Sequence, residues 1–515
     1  MINIGKKCLA ALLAASMVFG VTGCGRQKKA KKPYVQSTAE VKNGTAKAEG
    51  KGKQQSEVPL IIGCGRLDKN FNPFLAQAAS DEQVMNLTQT KLFDPDRAGR
   101  LVEKGIDGEL REYNDENYTY YGIADIKKAR RTKANYTVYR ITIRDDLLFS
   151  DGQPITIDDV IFSLYAFCDN DYDGNVQLKS SNIRGLLNYQ ANNAQAESYT
   201  DKQVKKYIRK KPAALQKWMQ KHSSDESGYE SALERQARYL MAKQAKKKTR
   251  VNSIEGIKRL NDYELRIYTT GYDSRFEEKL QIPICPLHYY GDTTKYSYNA
   301  NKFGFKRGDL SAIRANKSSP VGAGAYRFVK YDSGIAYFMA NELYYQGCPK
   351  ITYVQLKDLT KLFKDEDLTG AKIADEMKGQ TVDVASLALT QSDLEAIGEI
   401  NGNGKMSGNE INTCQSANAS YAYWGLNPYR VCINNEPFSE QSAALRHAIA
   451  MVVSACRGVQ METEGAKLTS VNAQAAKDSW LSPEQPNKDK LCYAETPDGK
   501  EQIYKTDDAV DQKRE

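Results

Sequence analysis

Alternating apolar and polar positions mark two segments of the chain as strands. Residues 136–143 alternate β-branched and aromatic side chains with polar ones, and residues 262–268 repeat this period of two. Successive side chains of a strand point to opposite faces, so each pattern predicts a sheet strand.

Apolar residues at helical spacing predict helices in other parts of the chain. Asp158 and Asp159 follow Thr156 at the start of an apolar segment that runs to Phe167, and a helix dipole favours carboxylates in its first turn. A second core helix is expected over residues 445–459. The sequence shows no internal repeat at solenoid spacing.

The N-terminal segment has the pattern of a secretory signal. Two lysines precede an apolar run over residues 8–21, which is shorter than the roughly 17 to 25 residues that span a membrane. The run ends in Val21-Thr22-Gly23-Cys24, which resembles a bacterial lipobox. We therefore predict a lipoprotein signal peptide over residues 1–23 and acylation of Cys24. The alternatives are an ordinary cleaved signal or a retained membrane anchor.

Basic residues concentrate in two blocks of a chain whose formal net charge is +9. Residues 24–57 carry nine basic and three acidic side chains with almost no large apolar ones, which predicts a disordered basic tether. Residues 201–250 carry fifteen basic and five acidic side chains and are interpreted as two helices, one beginning near Pro212 and one carrying residues 229–241. A solvated charged face is the simpler interpretation of this second block. Contact with a polyanion or a membrane is the alternative.

The residues that enzymes use are sparse in this sequence. The three histidines, His222, His288 and His447, are scattered, and no Gly-x-Ser-x-Gly, Walker or Cys-x-x-Cys motif is present. Residues 169–174 match the first half of a calcium loop, but Ser180 occupies the position of the bidentate glutamate. The sequence therefore predicts neither an enzyme nor a metal or cofactor site. Cys414 and Cys432 bracket a candidate hairpin and are the favoured pair for a disulfide.

Several local sequences together resemble one family. It is the peptide, dipeptide and nickel group of extracytoplasmic substrate-binding lipoproteins of ABC importers, and the resemblance runs from Val58 to about Trp480. The segments that carry the resemblance are residues 71–74, 143–160, 319–328, 341–350, 424–427 and 444–449.

The resemblance implies a bilobed α/β fold of the type II periplasmic-binding-protein kind, with an extra subdomain and mixed sheets flanked by helices. Residues 58–318 would form lobe I, including the basic helical insertion 201–250, and residues 319–515 would form lobe II. Gly322 and Gly324 fit a tight crossing between the lobes. By the same resemblance the chain is expected to be truncated at its C-terminus, since a return segment of the family is not found after Trp480.

The resemblance also implies which residues face the ligand cleft. They are Phe71, Asn72 and Phe74 in one loop, and Tyr423, Trp424, Gly425 and Asn427 in one strand segment. Trp424 would supply an apolar wall with an N–H donor, and Gly425 would let a peptide backbone approach closely.

The function implied is that of a membrane-anchored extracytoplasmic protein that captures oligopeptides and delivers them to an ABC permease. A monomer that binds no nucleic acid is expected. The alternatives are a binder of nickel or another non-peptide solute, and a degenerate surface interaction lipoprotein whose insertion contacts polyanions.

Overall fold

The structure, a computed structural model, describes the greater part of the chain after residue 57. The described ranges are 58–113, 116–222, 228–316, 318–363, 369–385, 391–413, 425–463, 492–495 and 502–505. The predicted signal peptide, Cys24 and the predicted tether lie outside them.

The described strands are β1 Leu60–Cys64, β2 Glu109–Tyr113, β3 Glu116–Tyr120, β4 Ala124–Arg131, β5 Tyr136–Ile143, β6 Ile257–Asn261, β7 Glu264–Thr270, β8 Tyr296–Ser297, β9 Lys302–Phe303, β10 Tyr326–Asp332, β11 Ile335–Ala340, β12 Tyr353–Asp358, β13 Val384–Ala385, β14 Cys492–Glu495 and β15 Gln502–Lys505. The described helices are α1 Ala79–Thr88, α2 Ile157–Phe167, α3 Leu186–Ala191, α4 Asp201–Arg209, α5 Ala213–Lys221, α6 Tyr229–Gln244, α7 Leu287–Tyr290, α8 Ser311–Ala315, α9 Leu359–Leu362, α10 Gly370–Lys378, α11 Gln391–Ile400 and α12 Glu440–Thr463. Mixed sheets and helices confirm the predicted α/β class.

A four-stranded antiparallel sheet, in the order β4-β5-β7-β6, carries the larger hydrophobic core. The predicted strand over residues 136–143 is confirmed as β5, and the prediction over 262–268 falls on β7 with a shift of two residues. Tyr139 and Ile141 of β5 are buried together with Leu265 and Ile267 of β7. The alternation in the sequence therefore reports a sheet with one covered face.

Helix α2 lies in this core and begins where the sequence predicts. The hydroxyl of Thr156 accepts from the backbone N–H of Asp158, and the Asp159 carboxylate accepts from the N–H of Thr156 at 2.9 Å, which completes a capping box. Every residue of α2 except Asp158 is buried. Burial raises the pKa of Asp159 to about 6 against the backbone N–H groups that lower it.

A five-stranded mixed sheet, in the order β10-β11-β12-β1-β13, covers a second core. Strand β1 runs parallel to β12 and β13, whereas β10, β11 and β12 are antiparallel. Strand β1 precedes the predicted lobe boundary at 318/319, and the strands that it pairs with follow it. One sheet therefore contains strands from both sides of the predicted boundary at 318/319.

The described residues within 201–250, which are 201–222 and 228–250, form three helices rather than the predicted two. Helices α5 and α6 fall where they were expected, and Pro212 is the N-cap of α5. The prediction missed α4, although a local signal was present. Thr200 and Gln203 form a reciprocal capping box, with the Thr200 N–H donating to Oε1 of Gln203 at 2.9 Å. We call residues 201–250 the basic appendage.

The predictions for the C-terminal helix and for a disulfide have different outcomes. The helix predicted over residues 445–459 is confirmed within α12, which is longer at both ends. Cys432 is a free thiol in the structure, and Cys414 lies outside the described residues, so the predicted pairing finds no support. Across the described ranges, no helix is both long enough and apolar enough to cross a membrane.

Candidate functional site

Gly322 and Gly324 lie where the chain passes between the two cores. A Cβ atom on Gly322 would overlap the backbone oxygen of Thr88 and the side chain of Gln89, and one on Gly324 would overlap the backbone of Leu87. The N–H of Gly324 donates to the Thr88 carbonyl at 3.0 Å, and Ser150 N–H donates to the Gly322 carbonyl at 2.8 Å. Glycine is required because the two backbones touch.

The loop of Phe71, Asn72 and Phe74 is buried at this same boundary. Phe71 packs 5.6 Å from the ring of Phe328 in the second core, whereas Phe74 packs 4.8 Å from Phe167 in the larger one. The side-chain amide of Asn72 donates to the carbonyl of Ile313 at 2.7 Å, and its oxygen accepts from Phe74 N–H at 2.9 Å. All three side chains are covered by protein and act here as packing and turn residues. Their contact with a ligand stays a prediction.

The second predicted wall of the cleft is described only in part. Tyr423 and Trp424 lie outside the described residues. Gly425 is exposed, and the side-chain oxygen of Asn427 accepts from the N–H of Tyr429 at 2.9 Å. Asn427 therefore closes a turn, and the backbone at the exposed Gly425 is accessible. The role of this segment in ligand binding stays a prediction.

A groove with a cavity volume of about 410 Å³ lies beside the buried loop. Residues before, within and after α1 form one side, and segments around Tyr172, Pro283 and Tyr344 form the other. We call it the Asp94 groove, and its lining residues are Pro73, Phe74, Ala76, Glu82, Met85, Asn86, Gln89, Thr90, Lys91, Asp94, Tyr172, Asn175, Val176, Gln281, Pro283, Tyr344 and Tyr345.

Backbone pairing fixes the floor of the Asp94 groove. The N–H of Leu92 donates to the Ile282 carbonyl at 2.8 Å, and Ile284 N–H donates to the Thr90 carbonyl at 3.0 Å. These two hydrogen bonds flank Lys91 and Pro283, which form an isolated antiparallel bridge. The segment that carries Asp94 is thereby tied to a part of the chain nearly 200 residues later, which gives the groove a rigid base.

Two tyrosines border the groove on a turn that Asn341 builds. The Asn341 oxygen accepts from Leu343 N–H at 3.1 Å, and its amide donates to the Gly324 carbonyl at 2.8 Å. The rings of Tyr344 and Tyr345 meet edge to face at 4.9 Å. Burial raises the pKa of both hydroxyls, so they stay neutral and can donate hydrogen bonds.

Asp94 is a half-buried carboxylate in this groove. Burial raises its pKa, and the charge of Lys91 offsets this only in part. Within the described ranges its carboxylate accepts no hydrogen bond and has no ion pair within 4.0 Å. A carboxylate that has lost water without gaining a donor is suited to receive a cation or an N–H group from a ligand.

The other charged groups of the groove are Glu82 and Lys91. The amide of Asn175 approaches Glu82 Oε1 at 3.4 Å. With two carboxylates and one ammonium, the lining has a negative formal balance. Polar groups, aromatic rings and a net negative charge together suit a cationic or amphipathic solute.

Sequence reasoning missed Asp94 as a site residue. Tyr344 and Tyr345 belong to the segment 341–350 that carries the resemblance, but the sequence does not predict that they border a groove. No local pattern distinguishes Asp94 from other aspartates, because its environment is made by residues that are distant in sequence.

The aspartates of the half-matched calcium loop are used inside the protein. Asp169 accepts from the Gly308 N–H at 2.9 Å, and Asp171 accepts from Leu310 N–H at 2.8 Å and pairs with Arg314 at 3.0 Å. Where the structure describes the chain, no group of three or more His, Cys, Asp or Glu residues could hold a metal ion. The loop is thus a structural junction between α2 and α8.

Comparison with known proteins yields one family. The sequence profile of the bacterial extracellular solute-binding proteins, family 5 Middle, matches residues 124–454, which is more than half of the chain. Among curated proteins, none matches the sequence.

Solved structures of similar proteins include three binding proteins. AppA from Bacillus subtilis in complex with a nonapeptide has a TM-score of 0.40 at 14% identity and covers 67% of this chain and 46% of its own. NikZ from Campylobacter jejuni in complex with Ni(L-His) has a TM-score of 0.35 at 20% identity, covering 66% and 45%. Lactococcal OppA complexed with an endogenous peptide has a TM-score of 0.37 at 12% identity, covering 64% and 45%. The chain thus spans less than half the length of each, and likenesses at this level say nothing about its ligand.

Proposed function

Since the chain belongs to the bacterial extracellular solute-binding proteins of family 5, we propose that it is an extracytoplasmic, non-enzymatic protein that captures oligopeptides for an ABC permease. The match over residues 124–454 is the observation that carries this proposal. Acylation of Cys24 would hold the protein at the membrane, with residues 24–57 as the tether.

We place peptide recognition in the Asp94 groove. The Asp94 carboxylate would pair with the ammonium group at the N-terminus of the peptide, which restores the donors that burial has removed. The hydroxyls of Tyr344 and Tyr345 can donate to peptide carbonyls, and their rings can cover apolar side chains. The predicted segment 423–427 would provide a further wall for the peptide.

The proposal is tested by thermal shift and calorimetric titration of the full chain with a mixed peptide library. Stabilisation by the library is expected, since a ligand that binds only the folded state raises its stability. A library whose N-termini are acetylated should bind about tenfold to a hundredfold more weakly, because the charged hydrogen bond to Asp94 is lost. If neither library binds, the oligopeptide function is wrong.

Substitution separates the role of Asp94 from the function itself. Asp94→Asn should weaken binding of free peptides by about tenfold to a hundredfold and leave acetylated peptides unaffected. Asp375→Asn, on the exposed side of α10, is the matched control and should change neither affinity. Equal binding of both libraries by Asp94→Asn and the unsubstituted chain would refute the assigned site but not peptide capture.

The raised pKa of Asp94 predicts how affinity depends on pH. A peptide ammonium group binds the ionised carboxylate, so affinity is at its maximum above the pKa of Asp94 in the free protein. Affinity should fall by about tenfold per pH unit as the pH drops below that pKa, which lies above the usual value for aspartate. Titrations from neutral to acid pH should show this fall in the unsubstituted chain, and Asp94→Asn should remove it.

A further inference from the structure

The basic appendage presents a large set of exposed cationic side chains. Within the described part of the chain, none of them forms an ion pair with an acidic residue. The set comprises Lys202, Lys205, Lys206, Arg209, Lys210, Lys211, Lys217, Lys221, Lys243, Lys246, Lys247, Lys248 and Arg250.

The two other arginines of the appendage are used internally. Arg235 is half-buried and donates to the Lys179 carbonyl at 3.0 Å and to Gln190 Oε1 at 2.8 Å. Arg238 pairs with Asp201 at 2.5 Å. Internal contacts therefore involve Arg235, Arg238 and Asp201. The remaining exposed surface of the appendage is strongly positive.

The appendage is held in a defined orientation against the rest of the protein. Val204, Leu215, Ala237 and Ala242 are buried, one or two from each of α4, α5 and α6. The side chain of Asn193 donates to the Ala242 carbonyl at 2.9 Å, outside the appendage. Because the helices are fixed, their charges form a preorganised surface whose ordering entropy is already spent on folding.

Aromatic residues lie at the end of the α5–α6 hairpin. The half-buried Trp218 stacks on His222 with ring centroids 4.1 Å apart, and the ring centroid of Tyr229 lies 5.7 Å from that of Trp218. One face of the indole is thus already covered, which disfavours stacking of nucleic-acid bases. Tryptophan and tyrosine beside lysines are instead typical of protein surfaces that meet a lipid headgroup region.

The kind of basic residue also bears on the partner. Eleven of the thirteen exposed side chains are lysines and two are arginines. Arginine is the residue that recognises individual phosphates in a bidentate manner, whereas lysine acts as a hydrated point charge. A field of lysines therefore suits a diffuse anionic surface, where each contributes about 1 kcal/mol near the headgroups.

We infer that the basic appendage docks this extracellular protein onto an anionic lipid surface, through its exposed lysines and the Trp218 end of the hairpin. No residue of the Asp94 groove belongs to the appendage. Docking would orient the protein on the membrane and leave the groove free for solute.

The test is co-sedimentation of the full chain with vesicles of phosphatidylcholine alone and of phosphatidylcholine with about one third phosphatidylglycerol. The quantity measured is the difference in affinity between the two vesicles, since a predicted tether or anchor is common to all variants. The appendage variant replaces Lys202, Lys205, Lys206, Lys217 and Lys221 with glutamine. The matched control replaces the exposed lysines Lys127, Lys133, Lys258, Lys302 and Lys378 with glutamine.

The unsubstituted chain should prefer the anionic vesicles, and the appendage variant should lose at least about tenfold of that preference, against less than about twofold for the control. The preference should also vanish near 1 M salt, where the screening length is about 3 Å. Equal losses in both variants, or an unchanged preference in the appendage variant, would overturn the inference. Binding to heparin or single-stranded nucleic acid without a preference for anionic vesicles would also overturn it.

Discussion

Helix α2 and the basic appendage show two ways in which helices contribute to this protein. Ten of the eleven residues of α2 are buried, whereas the three helices α4, α5 and α6 bury only Val204, Leu215, Ala237 and Ala242. Burial of apolar area is the main favourable term in folding. The stability of the body therefore depends on α2, and the appendage contributes mostly charge.

The difference teaches that a charged helical insertion needs few contacts to be ordered. Helix α4 is stabilised locally by its capping box, and α6 is tied to the body by the hydrogen bonds of Arg235. Since the appendage makes few contacts with the body, its exposed side chains can be substituted without disturbing the core around α2. Substitutions around α2 should therefore cost more free energy of unfolding than substitutions in the appendage, and the effects of those in the appendage should stay local.

The largest effect is expected in the core around α2. Phe162→Ala removes a buried ring that packs 5.9 Å from Phe74, and it should lower the free energy of unfolding by about 3–5 kcal/mol. Leu240→Ala, half-buried in α6, should cost about 1 kcal/mol. Urea denaturation measures both. Equal losses would contradict the proposed difference between the regions.

The crossing between the two cores should be next. Gly322→Ala places a Cβ against the backbone of Thr88 and should cost about 1–3 kcal/mol in the same urea experiment. Gly122→Ala is the control, because its nearest neighbour lies 3.5 Å from the added Cβ. That variant should be unchanged or more stable by less than about 1 kcal/mol. A neutral Gly322→Ala would show that the two cores can separate at little cost.

The attachment of the appendage should have a local effect. Arg235→Met leaves the Lys179 carbonyl and Gln190 Oε1 without these donors and should cost about 1–2 kcal/mol. Hydrogen exchange should accelerate in α4, α5 and α6 but not in α2. Arg209→Met, at an exposed position, should change neither. Faster exchange in α2 would mean that the appendage is part of the core unit.

The smallest effect on stability is expected from the exposed lysines. The five lysine-to-glutamine substitutions in the appendage should change the free energy of unfolding by less than about 0.5 kcal/mol, like the five in the control. Loss of like-charge repulsion can make the sign favourable. A melting temperature equal to that of the unsubstituted chain would also show that altered vesicle binding is not a consequence of unfolding.

The sequence predicted those elements whose signals are local. The alternation of β5, the capped start of α2 and the presence of a helix over residues 445–459 depend on neighbouring residues, and the structure confirms them. Helix α4 was missed although its signals are equally local, namely the Thr200–Gln203 capping box and the helical spacing of Val204, Tyr207 and Ile208. The family was also predictable, since its motifs stand in order along the chain.

The site required the tertiary structure. Phe71 and Asn72 are covered by packing from the two cores, Phe74 is buried but also lines the Asp94 groove, and contact of the three with a ligand stays a prediction. Asp94 was not distinguished, because the groove that it lines is completed by distant segments around Tyr172, Pro283 and Tyr344. Burial and loss of hydrogen-bond partners are set by contacts between distant segments, so a linear pattern does not contain them.

The sequence by itself determined the α/β class, the family and the position of the basic block. Each depends on residue type in a local order, which fixes backbone preference and charge. The tertiary structure alone decided that β1 pairs with β12, that thirteen basic side chains of the appendage lie exposed on its helices and connecting segments, and that Asp94 lies half-buried in a groove. These features depend on which surfaces exclude water from one another, and that is decided only when the chain packs.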